Sequence, residues 1–553
     1  MKKTFKIVAI TSVLCALAFS ATLFSCKKVT DGIRVKVNTD IFTSPIGVHF
    51  VNYNTTSGTR PTDFSIKISG KDAALVYTSD GGSNYNVFGG FISLAVDKSA
   101  APSPTHPVNF TITGSISGFA PIVYQVSITS DSAVSIIVPV IEYANPPANT
   151  VVLSTQVGLT GNASPAKALT AVATPTLANP ATINIANGTT FKDASGNVIS
   201  GNTLGVVATQ YGTDSFNSIP GGLSPTDVLD INGSPIPGGV RFESAGSLAM
   251  QMNVDGVPVK SFGTPLQVNM PIDASLLNLA TGNTVAAGDV IPVWSMDETT
   301  GQFKNEGNAT VALTGGKLVA TFPVSHLSVW NLAWPSNPCP TPLHLTINTS
   351  DPNYSGGNYR IAIIALPING NGAPHVVGQP IVTSIYNGMT IDITNTPTNV
   401  QGEIVIYGPT GPSTSGVIAG SAISFCSTNS TTITVPVPSP SVAIHVITQF
   451  VGYCTDKQVT ANLTGTFSYT SKTDALDFGN VNVRNGYTRF SILEGSAYTI
   501  NAIYNNKPYT ADITFTKTNF KFPGNSSITN GIASYDANAN VLALSGQLNF
   551  SCK

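Results

Sequence analysis

Two neighbouring carboxylates, Asp297-Glu298 in "SMDETTGQF", come nearest in this sequence to a catalytic acid pair. Retaining glycoside hydrolysis needs two carboxyl groups about 5–5.5 Å apart, offered across the sugar from separate rigid elements. Adjacent residues in a Gly-containing turn splay apart instead, so this stretch reads as a hairpin turn. "DANAN", with Asp536, Asn538 and Asn540, imitates the first half of a calcium loop. Val541 stands at the sixth position, where that loop needs Gly, and Gln547 at the twelfth, where it needs an acid. It reads as a plain turn. The six histidines, His49, His106, His326, His344, His375 and His445, are scattered and none sits in H-E-x-x-H. His326, beside Trp330, reads as a packed side chain. No serine occupies a G-x-S-x-G elbow, and no Gly-rich loop opens a helix to cradle phosphate. The expectation is a protein with no catalytic residue, no metal, no cofactor and no nucleotide.

Aromatic residues among glycines and asparagines offer binding chemistry instead. "YTSDGGSNYNVFGGF" holds Tyr77, Tyr85 and Phe88, and "SDPNYSGGNYR" holds Tyr354 and Tyr359. Exposed rings beside amide side chains stack on sugar faces while the amides bond hydroxyls. The same rings also cap the ends of β-sandwiches. These five are candidate ligand contacts, with structural capping as the competing role.

The cysteines carry covalent information. Outside the apolar N-terminal stretch, which contains Cys15, there are Cys26 and four others: Cys339, Cys426, Cys454 and Cys552. Four cysteines allow three pairings in an exported chain. Cys339 and Cys426 bracket one block of strands and Cys454 and Cys552 the next, which predicts bridges 339–426 and 454–552. Each closes a loop worth about 4–5 kcal/mol in the chain-entropy account. A metal site would want C-x-x-C pairs or nearby histidines, and neither occurs.

The elements that must position these residues read as β throughout. Hydrophobic residues make up 42% of the 553, yet charged residues only 10%, with a net charge of −2. Such a surface is polar through hydroxyls and amides, and it lacks the basic footprint that nucleic acid demands. Val, Ile, Thr, Tyr and Phe alternate in short runs between turn residues, as in Phe64, Ile66 and Ile68, or Ile122, Tyr124, Val126 and Ile128. Asp255-Gly256, Gly315-Gly316, Asn387-Gly388, Asn485-Gly486 and Asn505-Asn506 read as tight hairpin turns. The fold class expected is all-β: several antiparallel, immunoglobulin-like β-sandwiches in tandem. The blocks are 32–145, 150–335, 336–437 and 438–553.

The N-terminus resembles a bacterial lipoprotein leader over residues 1–25. Lys2, Lys3 and Lys6 precede an apolar run, and Leu23-Phe24-Ser25-Cys26 resembles a lipobox, with Phe24 where small residues are usual. The resemblance implies lipid on Cys26, a tether over 26–31 and the lipid bilayer as partner. Several acyl chains hold a protein at a membrane where one binds marginally. Lys27, in place of the aspartate of inner-membrane retention, implies the outer membrane. Farther on, "IPVWSMDETTGQFKNEGNATV" and "FPVSHLSVWNLAW" resemble a β-sandwich module of cartilage intermediate layer protein and of many bacterial surface lipoproteins, over about 150–335. Residues 336–437 resemble the carboxypeptidase regulatory-like sandwich by order of elements. These families imply a fold and an extracytoplasmic setting, and they transfer no catalytic residue. The expected function is non-enzymatic: a lipid-anchored outer-membrane protein, at the cell surface, presenting sandwiches to a glycan or another envelope protein. An envelope spacer or complex subunit, and a carbohydrate-binding or hydrolytic accessory lipoprotein, are the alternatives.

Overall fold

The computed structural model describes residues 36–37 and 42–551, apart from 55, 133, 213–214, 216–217, 337–338, 340, 367–374, 394–395, 397–400, 409–416, 425, 438–442, 474–476, 505–506 and 523–527. The leader, Cys26, Cys552 and the Asn505-Asn506 turn therefore lie outside the described residues. The chain is all-β. Among the described residues, helical geometry is confined to two short 3-10 turns, Ala73–Leu75 and Lys98–Ala100. Alternation sets the faces of the strands: in Phe64–Ser69, Ile66 is buried while Ser65 and Lys67 meet solvent.

The strands gather into four sandwiches, and three of these share one topology. In each, the first strand lies between an antiparallel neighbour and the last strand of its group, to which it is parallel. These trios are Phe91–Asp97, Phe42–Asn52 and Val134–Val140; Met389–Ile393, Leu343–Thr349 and Ser430–Val435; and Tyr487–Leu493, Ala443–Cys454 and Val541–Phe550. The facing sheet is antiparallel each time, with four strands in the first and fourth, as in Phe478–Val483, Gly465–Ser471, Ala497–Tyr504 and Lys507–Thr514, and five in the third. The chain crosses from that sheet to the first at Gly89-Gly90, Asn387-Gly388 and Asn485-Gly486.

This crossing corrects two expected hairpins. Ile381–Tyr386 pairs with Ser355–Leu366, whereas Met389–Ile393 pairs with Leu343–Thr349. Phe478–Val483 and Tyr487–Leu493 likewise belong to different sheets. An Asn-Gly pair supplies the positive φ of a tight reversal but not the strand that follows it; longer ladders on either side choose the partners. Where no such ladder competes, the hairpin closes: Val254 faces Val257 around Asp255-Gly256, and Thr314 faces Lys317 around Gly315-Gly316.

The second sandwich is one folded sheet from Thr150–Gly158 to Lys167–Thr170. Phe303–Thr314 joins its layers, pairing first with Val290–Met296 and then with Lys317–His326. A bulge at Glu306-Gly307, with Gly307 at φ 118°, shifts the register within the first of those pairings. The three tryptophans are buried in this sandwich, and Trp294 and Trp334 donate their indole N–H groups to the carbonyls of Ala333 and Val290.

A disulfide joins Cys339 to Cys426, with Cα atoms 5.2 Å apart. Cys454 is also disulfide-bonded and pairs in its ladder with Phe550, close to Cys552 in sequence.

The sandwiches are not separate beads. Lys36–Val37, ahead of the first sandwich, adds a parallel strand to Val459–Asn462 of the fourth. Asn480 of the fourth donates to the Gly47 carbonyl at 2.8 Å and to Ser135 Oγ at 2.9 Å in the first. The second and third share a continuous apolar core, and Gly378 N–H donates to the Phe242 carbonyl. Tyr143 of the segment between first and second donates to Gln251 at 3.0 Å.

Candidate functional site

Folding assembles one constellation with the connectivity of a hydrolytic triad. Ser491 Oγ lies 2.9 Å from His445 Nδ1, and His445 Nε2 lies 3.0 Å from Asp351 Oδ2. His445 and Ser491 face each other across the ladder of Ala443–Cys454 and Tyr487–Leu493. Asp351 arrives from the third sandwich just past Leu343–Thr349. The Ser355 N–H also donates to Ser491 Oγ at 3.0 Å. With Asp351 ionised, His445 Nε2–H donates to it and Ser491 O–H donates to Nδ1, so every group is satisfied. A working triad presents its serine to substrate and turns Nε2 toward it. Here Nδ1 faces the serine, and Ser491 and His445 are buried. Burial lowers the His445 pKa and the Asp351 charge opposes it. The arrangement is a polar joint between two sandwiches, extended by Arg489 Nη2 donating to Asn353 Oδ1 at 2.6 Å.

The carboxylates of the "SMDETTGQF" turn diverge. Asp297 Oδ1 accepts the N–H groups of Thr299 at 2.7 Å and Thr300 at 3.1 Å. Burial raises the Asp297 pKa, but these bonds and the Thr299 hydroxyl outweigh it, so the net shift is downward. Glu298 turns inward, and burial lifts its pKa to about 6. In "DANAN", Asp536 Oδ1 caps the N–H groups of Asn538 and Ala539, and Asn540 donates to the Ala443 carbonyl, which is turn chemistry. His326 stacks on Trp330 with ring centroids 5.0 Å apart and lies 3.6 Å from Glu306.

The candidate aromatic contacts separate. Tyr354 and Tyr359 are 6% and 0% exposed, meet edge to face, and pair their hydroxyls at 3.3 Å. Tyr85 donates to the Val76 carbonyl at 2.7 Å, and Tyr77 packs on Phe42. These four make their contacts within the protein. Phe88, by contrast, lines a cavity.

That cavity, of about 900 Å³, lies where the first, third and fourth sandwiches meet. The first supplies His49, Asn52, Arg60, Asp63 and Phe88; the third supplies Arg360 and Gln379; the fourth supplies Lys472, Phe478, Thr499, Asn501 and Thr510. Several are held within their own sandwich. Asp63 Oδ1 accepts the Gly89 N–H at 2.9 Å. Asn52 donates to Glu142 at 2.9 Å, and its Oδ1 accepts the Asn54 N–H. The Arg360 guanidinium sits 4.1 Å over the Tyr407 ring. Asn501 Oδ1 accepts the Thr510 hydroxyl, and Lys472 pairs with Asp512. His49 is packed on Phe478 with centroids 4.8 Å apart. Burial, then the Arg60 charge, brings its pKa down to about 4, against the hydrogen-bonding pull of Asn480, so the ring is neutral at physiological pH. Arg60 is exposed and forms no ion pair with the described residues.

None of these cavity groups is marked by local spacing, because the wall comes from segments hundreds of residues apart. One legible sign was "GVHFV", "PLHLT" and "AIHVI", which place His49, His344 and His445 in the first strands of the three like sandwiches. His344 and His445 each face the first residue of their parallel partner, Ser430 and Val541, and each meets an aspartate.

No protein-family model matches the chain. Solved structures that align with it include the C-terminal fragment of a pilus adhesin from Lactobacillus rhamnosus, at 8% identity and TM-score 0.15, over 38% of this chain and 99% of that one. A minor pilin of Streptococcus agalactiae aligns at 12% identity and TM-score 0.14, over 38% and 98%. The major pilin of Bacillus cereus aligns at 8% identity and TM-score 0.12, over 92% and 99%. Scores this low carry nothing about function from those proteins to this one.

Proposed function

We propose that this chain is a non-enzymatic, lipid-anchored protein of the bacterial outer membrane whose clustered sandwiches bind a ligand at the cell surface. The observation that carries the binding role is the cavity of about 900 Å³ formed jointly by three sandwiches. Its size lies within the range of small-molecule and cofactor sites, and its wall mixes rings with placed polar groups. The burial of Ser491 and His445 supports a joint rather than a catalytic role for the triad-like set. Anchoring rests on Leu23-Phe24-Ser25-Cys26 and the basic, apolar stretch before it. The resemblance of residues 150–335 to a module common in bacterial surface lipoproteins supports the extracytoplasmic setting.

The test is protease shaving of intact cells followed by immunoblotting, with Cys26→Ala in parallel. Loss of the full-length band in intact cells, and release of Cys26→Ala from the membrane fraction, are expected. A band that survives until the outer membrane is opened places the protein in the periplasm and overturns surface display. Retention of Cys26→Ala at the membrane overturns the anchor.

A further inference from the structure

The character of the cavity wall narrows its ligand. Of the chain's 26 Lys and Arg residues, Arg60, Arg360 and Lys472 come together here from three sandwiches. Asp63 is the carboxylate lining the cavity, and one of its oxygens is held by the Gly89 N–H. Lys472 is offset by its ion pair with Asp512, so the positive character of this concave surface rests on Arg60 and Arg360. His49 contributes none, because its buried ring is neutral, and its Nδ1 has no hydrogen-bond partner among the described residues.

Beside the cations stand hydroxyls and amides, Thr59, Thr62, Thr499 and Thr510 with Asn54 and Asn501, set into a wall that is otherwise largely apolar. Neutral donors and acceptors of this kind exchange bonds with sugar hydroxyls without the desolvation cost of buried ions. Phe88, half-buried at the sheet-crossing corner, offers a ring face on which a pyranose can lie. Arg60 offers a planar fork suited to a carboxylate or sulfate.

We infer that the cavity between the first, third and fourth sandwiches binds an acidic oligosaccharide, with Arg60 taking the acid group and Asn501 and Phe88 holding the ring. This rests on the binding role proposed above and names its ligand class. A carboxylate of a uronic acid and a sulfate ester share the required chemistry.

Titration calorimetry on the detergent-solubilised full-length chain tests it. The probes are tetragalacturonate, a heparin-derived tetrasaccharide, neutral cellotetraose, and inorganic sulfate alone. At least one acidic tetrasaccharide is expected to bind, with cellotetraose and free sulfate at least about tenfold weaker. The arm that binds more tightly identifies carboxylate or sulfate as the group read. Arg60→Gln, a change at an exposed position, is expected to weaken the acidic ligand about tenfold or more and to leave the thermal midpoint in place. Asn501→Ala is expected to weaken it as well. Equal binding of cellotetraose, or indifference of the acidic ligand to Arg60→Gln, overturns the inference. So does silence in both acidic arms from folded protein. Binding of cellotetraose alone overturns the acid specificity yet keeps a ligand-binding role, while shaving reports the cell-surface reading independently.

Discussion

At the scale of single residues, the buried titratable groups set how the fold responds to acid, and two of them act in opposite senses. His49 has a pKa of about 4 in the folded chain against an ordinary 6.5. Between those values the unfolded chain binds the proton and the folded chain does not. Stability from this group is therefore intact above pH 6.5 and falls as the pH drops toward 4. Each pH unit in that window is worth about 1.4 kcal/mol, so the full loss is on the order of 3 kcal/mol. Glu298, raised by burial to about 6, binds its proton more readily folded than unfolded and gains stability between pH 6 and 4.5. Comparing urea denaturation of the wild type and His49→Phe at pH 7 and pH 4.5 isolates the histidine. The variant should lose about 2–3 kcal/mol less on acidification, and identical losses would show that His49 is not the group responsible.

At the scale of elements, the crossing corners hold the repeated topology. Gly486 has φ +78°, and a Cβ there would lie 1.9 Å from the Phe450 carbonyl oxygen. Its own N–H donates to the Leu463 carbonyl, and its carbonyl accepts the Phe450 N–H. The corner is thus pressed against backbone on two sides. Gly495 has nearly the same φ, +75°, with nothing near its missing Cβ. Gly495→Ala should cost only the backbone strain, about 1 kcal/mol. Gly486→Ala should cost at least about 2 kcal/mol more, because the carbonyl contact cannot be relieved by a side-chain rotation. Thermal midpoints of the two variants separate these terms, and equal midpoints would mean that the corner moves freely.

At the scale of the whole molecule, polar side chains lock sandwiches that a hydropathy pattern leaves independent. Asn480 is buried and spans from the fourth sandwich to Gly47 and Ser135 of the first. Gly47 admits it closely, since a Cβ there would meet the Asn480 Cβ at 2.9 Å. Asn480→Ala removes two hydrogen bonds at a buried seam, a loss of about 1–3 kcal/mol. Hydrogen exchange should quicken on both sides of the seam, in Phe42–Asn52 and Gly465–Ser471, while Leu343–Thr349 near the Cys339–Cys426 bridge stays protected. Sandwiches that behave as independent units would show no change across the seam. His49 and Phe478, close to that seam in sequence, line the cavity, so its loosening should also weaken any ligand held there.

The sequence by itself determined the β class, the turn character of "SMDETTGQF" and "DANAN", and the positions where the chain reverses. These are properties of alternation, side-chain reach and φ, all set within a few residues. It also placed Tyr354 and Tyr359 among glycines without revealing that they face inward, because a loop tyrosine is equally able to cap or to project. Only the tertiary structure decided which strands pair, so that Asn387-Gly388 and Asn485-Gly486 became crossings between sheets rather than hairpins. It alone brought Ser491 to His445 and Asp351, and set Arg60, Arg360 and Lys472 around one cavity. Those meetings depend on contacts between segments well separated in sequence, from 46 residues for His445 and Ser491 to 433 for Gly47 and Asn480. A polar residue at a buried seam has the same local signature as one facing water.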